Sequence, residues 1–246
     1  MKIGINATCI NDRPSGARQR FVGLLTHLAP LMPDSRFVVF APSDCCMVDW
    51  FSDHPNITIR STPLNSARRW QRLLRGLTFW PAVFREERFD LFEALHMPVT
   101  RATTGQTLLT LHDVRGLHPG TSWLDRQLFR FALRISLRRA DRVVTVSQAM
   151  RQEILAFSKS KPVSVIYNGL ELSRLAPLAC HGQAACLSKP EIPERYMLAV
   201  GHFEPRKNYG TLVDALALLG KRGIDLPLVI VGNDSGERNA IESQVA

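Results

Sequence analysis

The sequence predicts an α/β protein built on a parallel sheet with helices on both faces. Short apolar runs alternate with longer amphipathic stretches through residues 1–170, which is the pattern of consecutive β-α-β units. The same alternation restarts at Tyr196, after a stretch with no period. With 246 residues, 45% of them hydrophobic and 22% charged, the chain has ample material for a packed core. Global disorder is excluded.

The elements follow in order. Lys2–Thr8 is the first strand, and Arg36–Ala41 (R-F-V-V-F-A) and Asn56–Ser61 (N-I-T-I-R-S) are the next two, rich in the β-branched and aromatic residues that suit a pleated surface. Phe89–Leu95, Thr107–Leu111, Arg142–Val146 and Val163–Tyr167 complete the series. Helical stretches at Ala17–Leu31, Ala67–Arg85, Trp123–Arg139 and Ser147–Phe157 lie between them. Residues 171–195 mix Pro, Ala, Cys, Gly and Ser without period and read as a linker. Beyond it, Tyr196–Val200 is a strand, Tyr209–Arg222 a helix and Leu226–Val231 a second strand. The expected domains are therefore 1–170, complete, and 196–246, the first β-α-β of a second sheet. A single such unit does not bury an open sheet, so 196–246 reads as the beginning of a longer domain.

The formal charge of +9 is unevenly spread. Residues 1–170 hold 23 basic and 13 acidic side chains, and residues 171–246 hold 8 and 9. A basic first domain suggests an anionic partner: a phosphorylated substrate, a membrane surface or nucleic acid. No apolar run reaches the ~18 residues of a membrane-spanning helix, and the N-terminus turns polar too early for a signal peptide. Cys9, Cys45, Cys46, Cys180 and Cys186 are odd in number, contain no C-x-x-C, and read as free cytosolic thiols.

Open α/β sheets bind ligands beyond the carboxyl ends of their strands, which directs attention to four loops. In the first, Gly16 opens a helix, where backbone and helix N-terminus favour an anion; an ordinary tight turn is the competing reading. The second is His112-Asp113 at the end of an apolar strand. His112 would hydrogen-bond a sugar hydroxyl or phosphate, unless it is a satisfied structural histidine and Asp113 a helix cap. The third, Gly201-His202-Phe203-Glu204-Pro205-Arg206-Lys207-Asn208, joins a close-approach glycine to two cations suited to a diphosphate. Asn208 is expected to cap the next helix. The fourth, Tyr167-Asn168-Gly169, reads as a structural turn. No dinucleotide-binding or P-loop glycine motif is present, and no cluster of residues suggests a metal.

Two helical stretches are basic. Arg126, Arg130, Arg134 and Arg138 recur every four residues and form one stripe, beside an apolar face of Leu124, Leu128, Phe131 and Ile135. Arg68, Arg69, Trp70 and Arg72 open the other. Both read either as solvated helix faces over a core or as a patch that attaches to an acceptor or an anionic membrane.

Taken in order, these runs resemble glycosyltransferase family 4, retaining enzymes of the GT-B fold. The matching stretches are Ser15-Gly16, Leu111-His112-Asp113, Val143-Val144-Thr145-Val146-Ser147, Val165-Ile166-Tyr167-Asn168-Gly169, Leu198 through Asn208 and Leu228-Val229-Ile230-Val231-Gly232. The resemblance implies two Rossmann-like domains, the N-terminal one for the acceptor and the C-terminal one for the nucleotide sugar. It places Gly16 and Gly201 by the donor phosphates and His112 against the transferred sugar. Arg206 and Lys207 would hold the diphosphate and stabilise its charge as it leaves. Asp113 is expected to be structural, and no metal or cofactor is implied.

The Glu-Pro-Arg-Lys-Asn run is similar to subfamilies that include mannosyltransferases, which makes GDP-mannose the expected donor. The expected acceptor is a glycan or lipid-linked sugar, in cell-surface polysaccharide or lipopolysaccharide synthesis at the cytoplasmic membrane face. Two departures stand out. His202 occupies a position where many relatives carry Arg. The family's acidic motif, two Glu separated by seven residues, would lie beyond Gly232, and Glu237 and Glu242 do not have that spacing. The expectation is the N-terminal two-thirds of such an enzyme, with little activity as this chain alone. The rival from another class is a non-catalytic acceptor- or membrane-binding module. A nucleic-acid-binding protein, suggested by charge alone, finds no motif here.

Overall fold

A computed structural model describes residues 1–13, 15–118, 122–159, 161–170, 193 and 195–245. The chain forms two compact units, Met1–Glu171 and Leu172–Ala246. Nearly all of the expected linker, with Cys180 and Cys186, lies outside the described residues.

The first unit contains seven strands: β1 (Lys2–Asn6), β2 (Arg36–Ala41), β3 (Ile57–Ser61), β4 (Leu91–Ala94), β5 (Gln106–Leu111), β6 (Arg142–Thr145) and β7 (Val163–Val165). Four helices accompany them: α1 (Gly16–Leu31), α2 (Arg69–Glu86), α3 (Trp123–Arg139) and α4 (Gln148–Phe157). The strands form one sheet in the order β3-β2-β1-β4-β5-β6-β7, and every pair is parallel. The chain runs outward from β1 to β3, then crosses back to β4. The topological switch therefore falls between β1 and β4, where Ile5 is in register with Glu93 and Asn6 with Ala94.

Each face of the sheet has its own core. On one, Phe21, Leu25 and Ala29 of α1 pack on Ile3, Ile5, Phe37 and Val39. On the other, Trp80, Val83 and Phe84 of α2 meet Val38, Phe40 and Phe92. The rings interlock edge to face, with centroids 4.8 Å apart for Phe84–Phe92 and 5.2 Å for Phe40–Trp80, an arrangement the ring quadrupoles favour. The same face continues with Leu133 and Leu137 of α3 and Ile154 of α4 over Leu109, Val143 and Val163.

Helix α3 begins where Ser122 Oγ accepts the Asp125 amide at 3.1 Å, a side-chain N-cap. Its core face is Leu133, Ser136 and Leu137. The stripe Leu124, Leu128, Phe131 turns away from the sheet and stays in solvent, with Trp123 at 69% and Phe131 at 63% exposure. Amphipathic spacing marks an apolar face on this helix, but that face is not the one the core takes.

In the second unit, β8 (Met197–Val200) and β9 (Leu228–Val231) form a parallel pair joined through helix α5 (Tyr209–Gly220). Helix α6 (Arg238–Val245) follows β9 and has no counterpart in the sequence reading. Its start is organised by Asp234, whose Oδ1 accepts the amides of Gly236 at 2.8 Å and Arg238 at 3.3 Å. Those amides hold the Asp234 carboxyl below its usual range. Buried Ile241 anchors the helix.

Candidate functional site

Three groups of residues stand at the carboxyl ends of strands, the edge where a parallel sheet binds ligands. The first gathers around His112, just past β5. It shares a cavity of about 30 Å³ with Arg20 and Glu93, otherwise walled by Ile5, Phe21, Leu24, Leu25, Leu28 and Leu95. That volume exceeds the ~10–15 Å³ one water needs. Arg20 reaches from α1 and is buried. Its Nη1 donates to Ile166 O at 3.0 Å, Tyr167 O at 3.3 Å and Asn168 Oδ1 at 3.0 Å. The Asn-Gly segment after β7, expected as a sharp turn, forms none, and Arg20 ties it directly to the site.

Glu93 stands on β4 and accepts from Thr110 Oγ1 at 2.6 Å. Burial raises its pKa, and the Thr110 hydroxyl and the Arg20 charge oppose that rise. Burial, then Arg20, lowers the pKa of His112, while Asp113 works the other way. A neutral imidazole offers one donor and one acceptor to a ligand. Asp113 itself is a turn residue: it accepts from the Arg115 amide at 3.2 Å and faces the Arg115 guanidinium at 3.0 Å. Gly16 heads α1, where Ser15 Oγ accepts the Arg18 amide at 3.2 Å. A Cβ placed on Gly16 would meet nothing within 4 Å, so the chain's own packing does not require glycine there.

A second group lies at the β1–β4 switch. Thr8 Oγ1 is 2.7 Å from Asn6 Oδ1 and 2.9 Å from His96 Nε2. Burial, with help from the Arg72 charge, pushes His96 down to about 4. Burial raises the Cys9 thiol to about 11 despite the same Arg72 charge, so Cys9 is an inert thiol. Cys9, Cys45 and Cys46 are free.

Arg72 therefore differs from its neighbours in sequence. Arg68, Arg69 and Trp70 are exposed, whereas Arg72 turns inward and bonds the carbonyls of Asn65, at 3.2 Å, and Ser66. Along α3, Arg130 and Arg134 lie over the Phe157 ring at 5.5 and 5.9 Å. Arg138 is exposed, and Arg126 is part-buried with an Nε that has no partner. The eight residues of the expected patch do not share one environment.

The third group is the loop after β8. Gly201 has φ +156°, and a Cβ there would stand 2.8 Å from Lys207 Cε and 3.0 Å from the Tyr209 hydroxyl. The glycine lets the Lys207 side chain fold over the backbone while Tyr209 OH donates to Gly201 O at 3.1 Å. Gly232 at the end of β9 is more tightly bound: a Cβ would lie 1.8 Å from Gly201 O. The two loops are zipped by Phe203 N to Asn233 O at 2.9 Å and Ser235 N to Phe203 O at 3.1 Å.

Arg206 is paired with Glu204, so a diphosphate would compete with that carboxylate. The Asn233 backbone amide donates to His202 Nδ1 at 3.3 Å, so this ring nitrogen acts as an acceptor. Asn208 sits in the left-handed region at φ +54°, and its side chain makes no bond to the helix backbone. The expected cap is replaced by Thr211 Oγ1 donating to Asn208 Oδ1 at 3.0 Å.

Sequence reasoning missed Arg20, Glu93 and His96. A carboxylate inside the apolar run Phe89–Leu95 was the one visible signal. Among the described residues, no group of three or more His, Cys, Asp or Glu could hold a metal, and no helix is long and apolar enough to cross a membrane.

A seven-stranded parallel unit with a histidine at its ligand edge, followed by a β-α-β unit with a basic glycine loop, is the α/β architecture of GT-B glycosyltransferases. Residues 16–174 match Glycosyltransferase Family 4, and the chain belongs to that family. Over 107 residues, 43% of this chain, it is 32% identical to the O-antigen chain mannosyltransferase RfbU of Salmonella typhimurium. The matched segment is 27% of that relative's length. The crystal structure of TarM is similar at a TM-score of 0.61 and 7% identity, over 99% of this chain and 74% of TarM. The apo form of the lipopolysaccharide outer core galactosyltransferase WaaB is similar at 0.53 and 12%, over 100% and 71%. These two likenesses concern the fold.

Proposed function

We propose that the protein takes part in transferring a hexosyl group, with mannosyl from GDP-mannose the first choice, to a glycan or lipid-linked acceptor. The reaction proceeds with retention and serves cell-surface polysaccharide or lipopolysaccharide synthesis. The observation that carries this reading is the β8 loop, where Gly201 leaves room for Lys207 to fold over the backbone and Arg206 stands beside it. Two cations at a close-approach backbone suit a diphosphate. As the bond between sugar and diphosphate breaks, they stabilise the charge growing on the leaving group. His112, kept neutral, meets the sugar as a hydrogen-bonding group, and Gly16 lets the α1 N-terminus approach the phosphates. The nucleotide sugar is the substrate, and no separate cofactor takes part.

The acceptor is presented at the cytoplasmic membrane face. Support comes from the solvent-facing Trp123, Leu124, Leu128 and Phe131 on the arginine-rich helix α3, a combination suited to shallow insertion among anionic headgroups. The same observation favours a second reading, a non-catalytic module on this fold that grips membrane or acceptor. That module would bind anionic liposomes after His112→Ala and transfer no sugar.

Saturation-transfer NMR with GDP-mannose, UDP-glucose, UDP-galactose and free GDP tests the donor. GDP-mannose is expected to give the strongest contacts, at both nucleotide and sugar, and another donor bound more tightly would overturn the choice. Any transferred sugar is expected to keep the donor's anomeric configuration, and an inverted product would overturn retention.

A further inference from the structure

Beneath α1, a cavity walled by Ile5, Phe21, Leu24, Leu25, Leu28 and Leu95 takes in one basic and one acidic side chain. Arg20 enters from the helix and Glu93 from β4, and His112 completes the polar lining of the cavity they share. A carboxyl at this place has no packing advantage over leucine, and burying it without full compensation is costly. Glu93 is also joined to the strand that carries His112. Its Oε1 takes the Thr110 hydroxyl at 2.6 Å, and Thr110 precedes His112, which lies just past the end of β5, by two residues.

Arg20 is committed elsewhere. Its Nη1 is held by the two carbonyls and the amide oxygen of the segment after β7, so the guanidinium stays beside the cavity. No hydrogen bond from the His112 imidazole occurs among the described residues, and its neighbour Asp113 is engaged by Arg115.

We propose that Glu93 and Arg20 are a positioning pair for His112. Glu93 braces the end of β5 through Thr110, and its ionised form offsets the guanidinium charge, so the pair sets the net charge that His112 meets in their common cavity. This rests on the reading of His112 as the group that meets the sugar. The consequence for transfer is direct. Positive charge develops at the anomeric carbon as the diphosphate leaves, and an imidazolium there would oppose it. An uncompensated Arg20 would instead make His112 too poor an acceptor. The groups facing His112 are Arg20 from α1, whose charge lowers the imidazole's pKa, Asp113 from its own loop, which opposes that shift, and across the shared cavity Glu93 from β4, whose own pKa burial raises.

Histidine-selective NMR titration of the full chain tests the pair without requiring transfer. Glu93→Gln leaves Arg20 unopposed and is expected to lower the His112 midpoint by about one pH unit, tenfold in proton affinity. Arg20→Gln is expected to raise it by a similar amount, and Glu93→Asp, which keeps the charge, to stay near wild type. A purely structural role would not give shifts of opposite sign. His112 midpoints within ~0.2 of a unit of wild type in both Gln variants would overturn the proposal. If Arg20→Gln does not fold, the contrast between Glu93→Gln and Glu93→Asp decides it. Because the readout is the imidazole, loss of coupling here and failure of donor binding at Lys207 are separate results.

Discussion

Arg20 donates to the side-chain oxygen of Asn168 at 3.0 Å, joining residues 148 positions apart in sequence. The contact ties the first helix of the sheet unit to the segment that follows its last strand. Asn168→Ala removes one of three acceptors on that nitrogen. Hydrogen bonds to charged groups contribute about 1.5–3 kcal/mol when buried, and Asn168 is exposed, so about 1 kcal/mol is expected from urea unfolding. Arg20→Ala, which frees all three acceptors, is expected to cost at least twice as much.

Gly232 admits no side chain. A Cβ would stand 1.8 Å from the Gly201 carbonyl oxygen, and the atom in the way is backbone rather than a movable side-chain tip. Gly232→Ala must part the β8 and β9 loops, at a cost on the order of 3 kcal/mol. Hydrogen exchange should show the Phe203 and Ser235 amides losing protection, while Ala at Gly16 leaves exchange unchanged.

His96 predicts a sensitivity to acid. Its folded value near 4 lies below the usual 6.5, so in that interval the unfolded chain binds a proton that the folded chain refuses. The stabilising contribution is complete above about pH 6.5 and is lost as the pH falls toward 4, with a limiting slope of about 1.4 kcal/mol per pH unit. Denaturant midpoints measured from pH 7.5 to 4.5 should fall more steeply for wild type than for His96→Gln. The comparison isolates His96 from Glu93, whose raised pKa acts with the opposite sign.

The exposed side of α3 should separate binding from stability. Replacing Trp123, Leu128 and Phe131 with Ser is expected to change unfolding by less than about 0.5 kcal/mol per site, as surface changes do. The same variant should lose salt-sensitive binding to anionic liposomes in a flotation assay. Leu133→Ala, on the fully buried face, should cost about 2–5 kcal/mol.

Much of this organisation is legible in the sequence because periodicity and strand-end motifs are local. Apolar runs between turns delimit Trp123–Arg139 to the residue and the strands to within two residues. Periodicity does not say what lies opposite a face, so the stripe Leu124–Leu128–Phe131 is visible in the sequence but its exposure to solvent is not. Arg72 looked like Arg68 and Arg69 until the fold turned it toward Ser66. Arg20 from α1, Glu93 from β4 and His112 past β5 line one cavity only because the sheet brings β1 beside β4, an order that differs from the chain order. Helix α6 was missed because its start depends on Asp234 catching two amides, a short-range signal without an apolar run behind it.

The most direct test of the central claim is isothermal titration of GDP-mannose into the wild-type chain and three variants of the β8 loop. If this loop holds the donor diphosphate, Lys207→Ala and Arg206→Ala each weaken binding at least tenfold, the loss of a charge-assisted contact. Glu204→Gln, which releases Arg206 from its exposed ion pair, should strengthen binding by about threefold. Equal affinity in wild type, Lys207→Ala and Arg206→Ala would contradict the account.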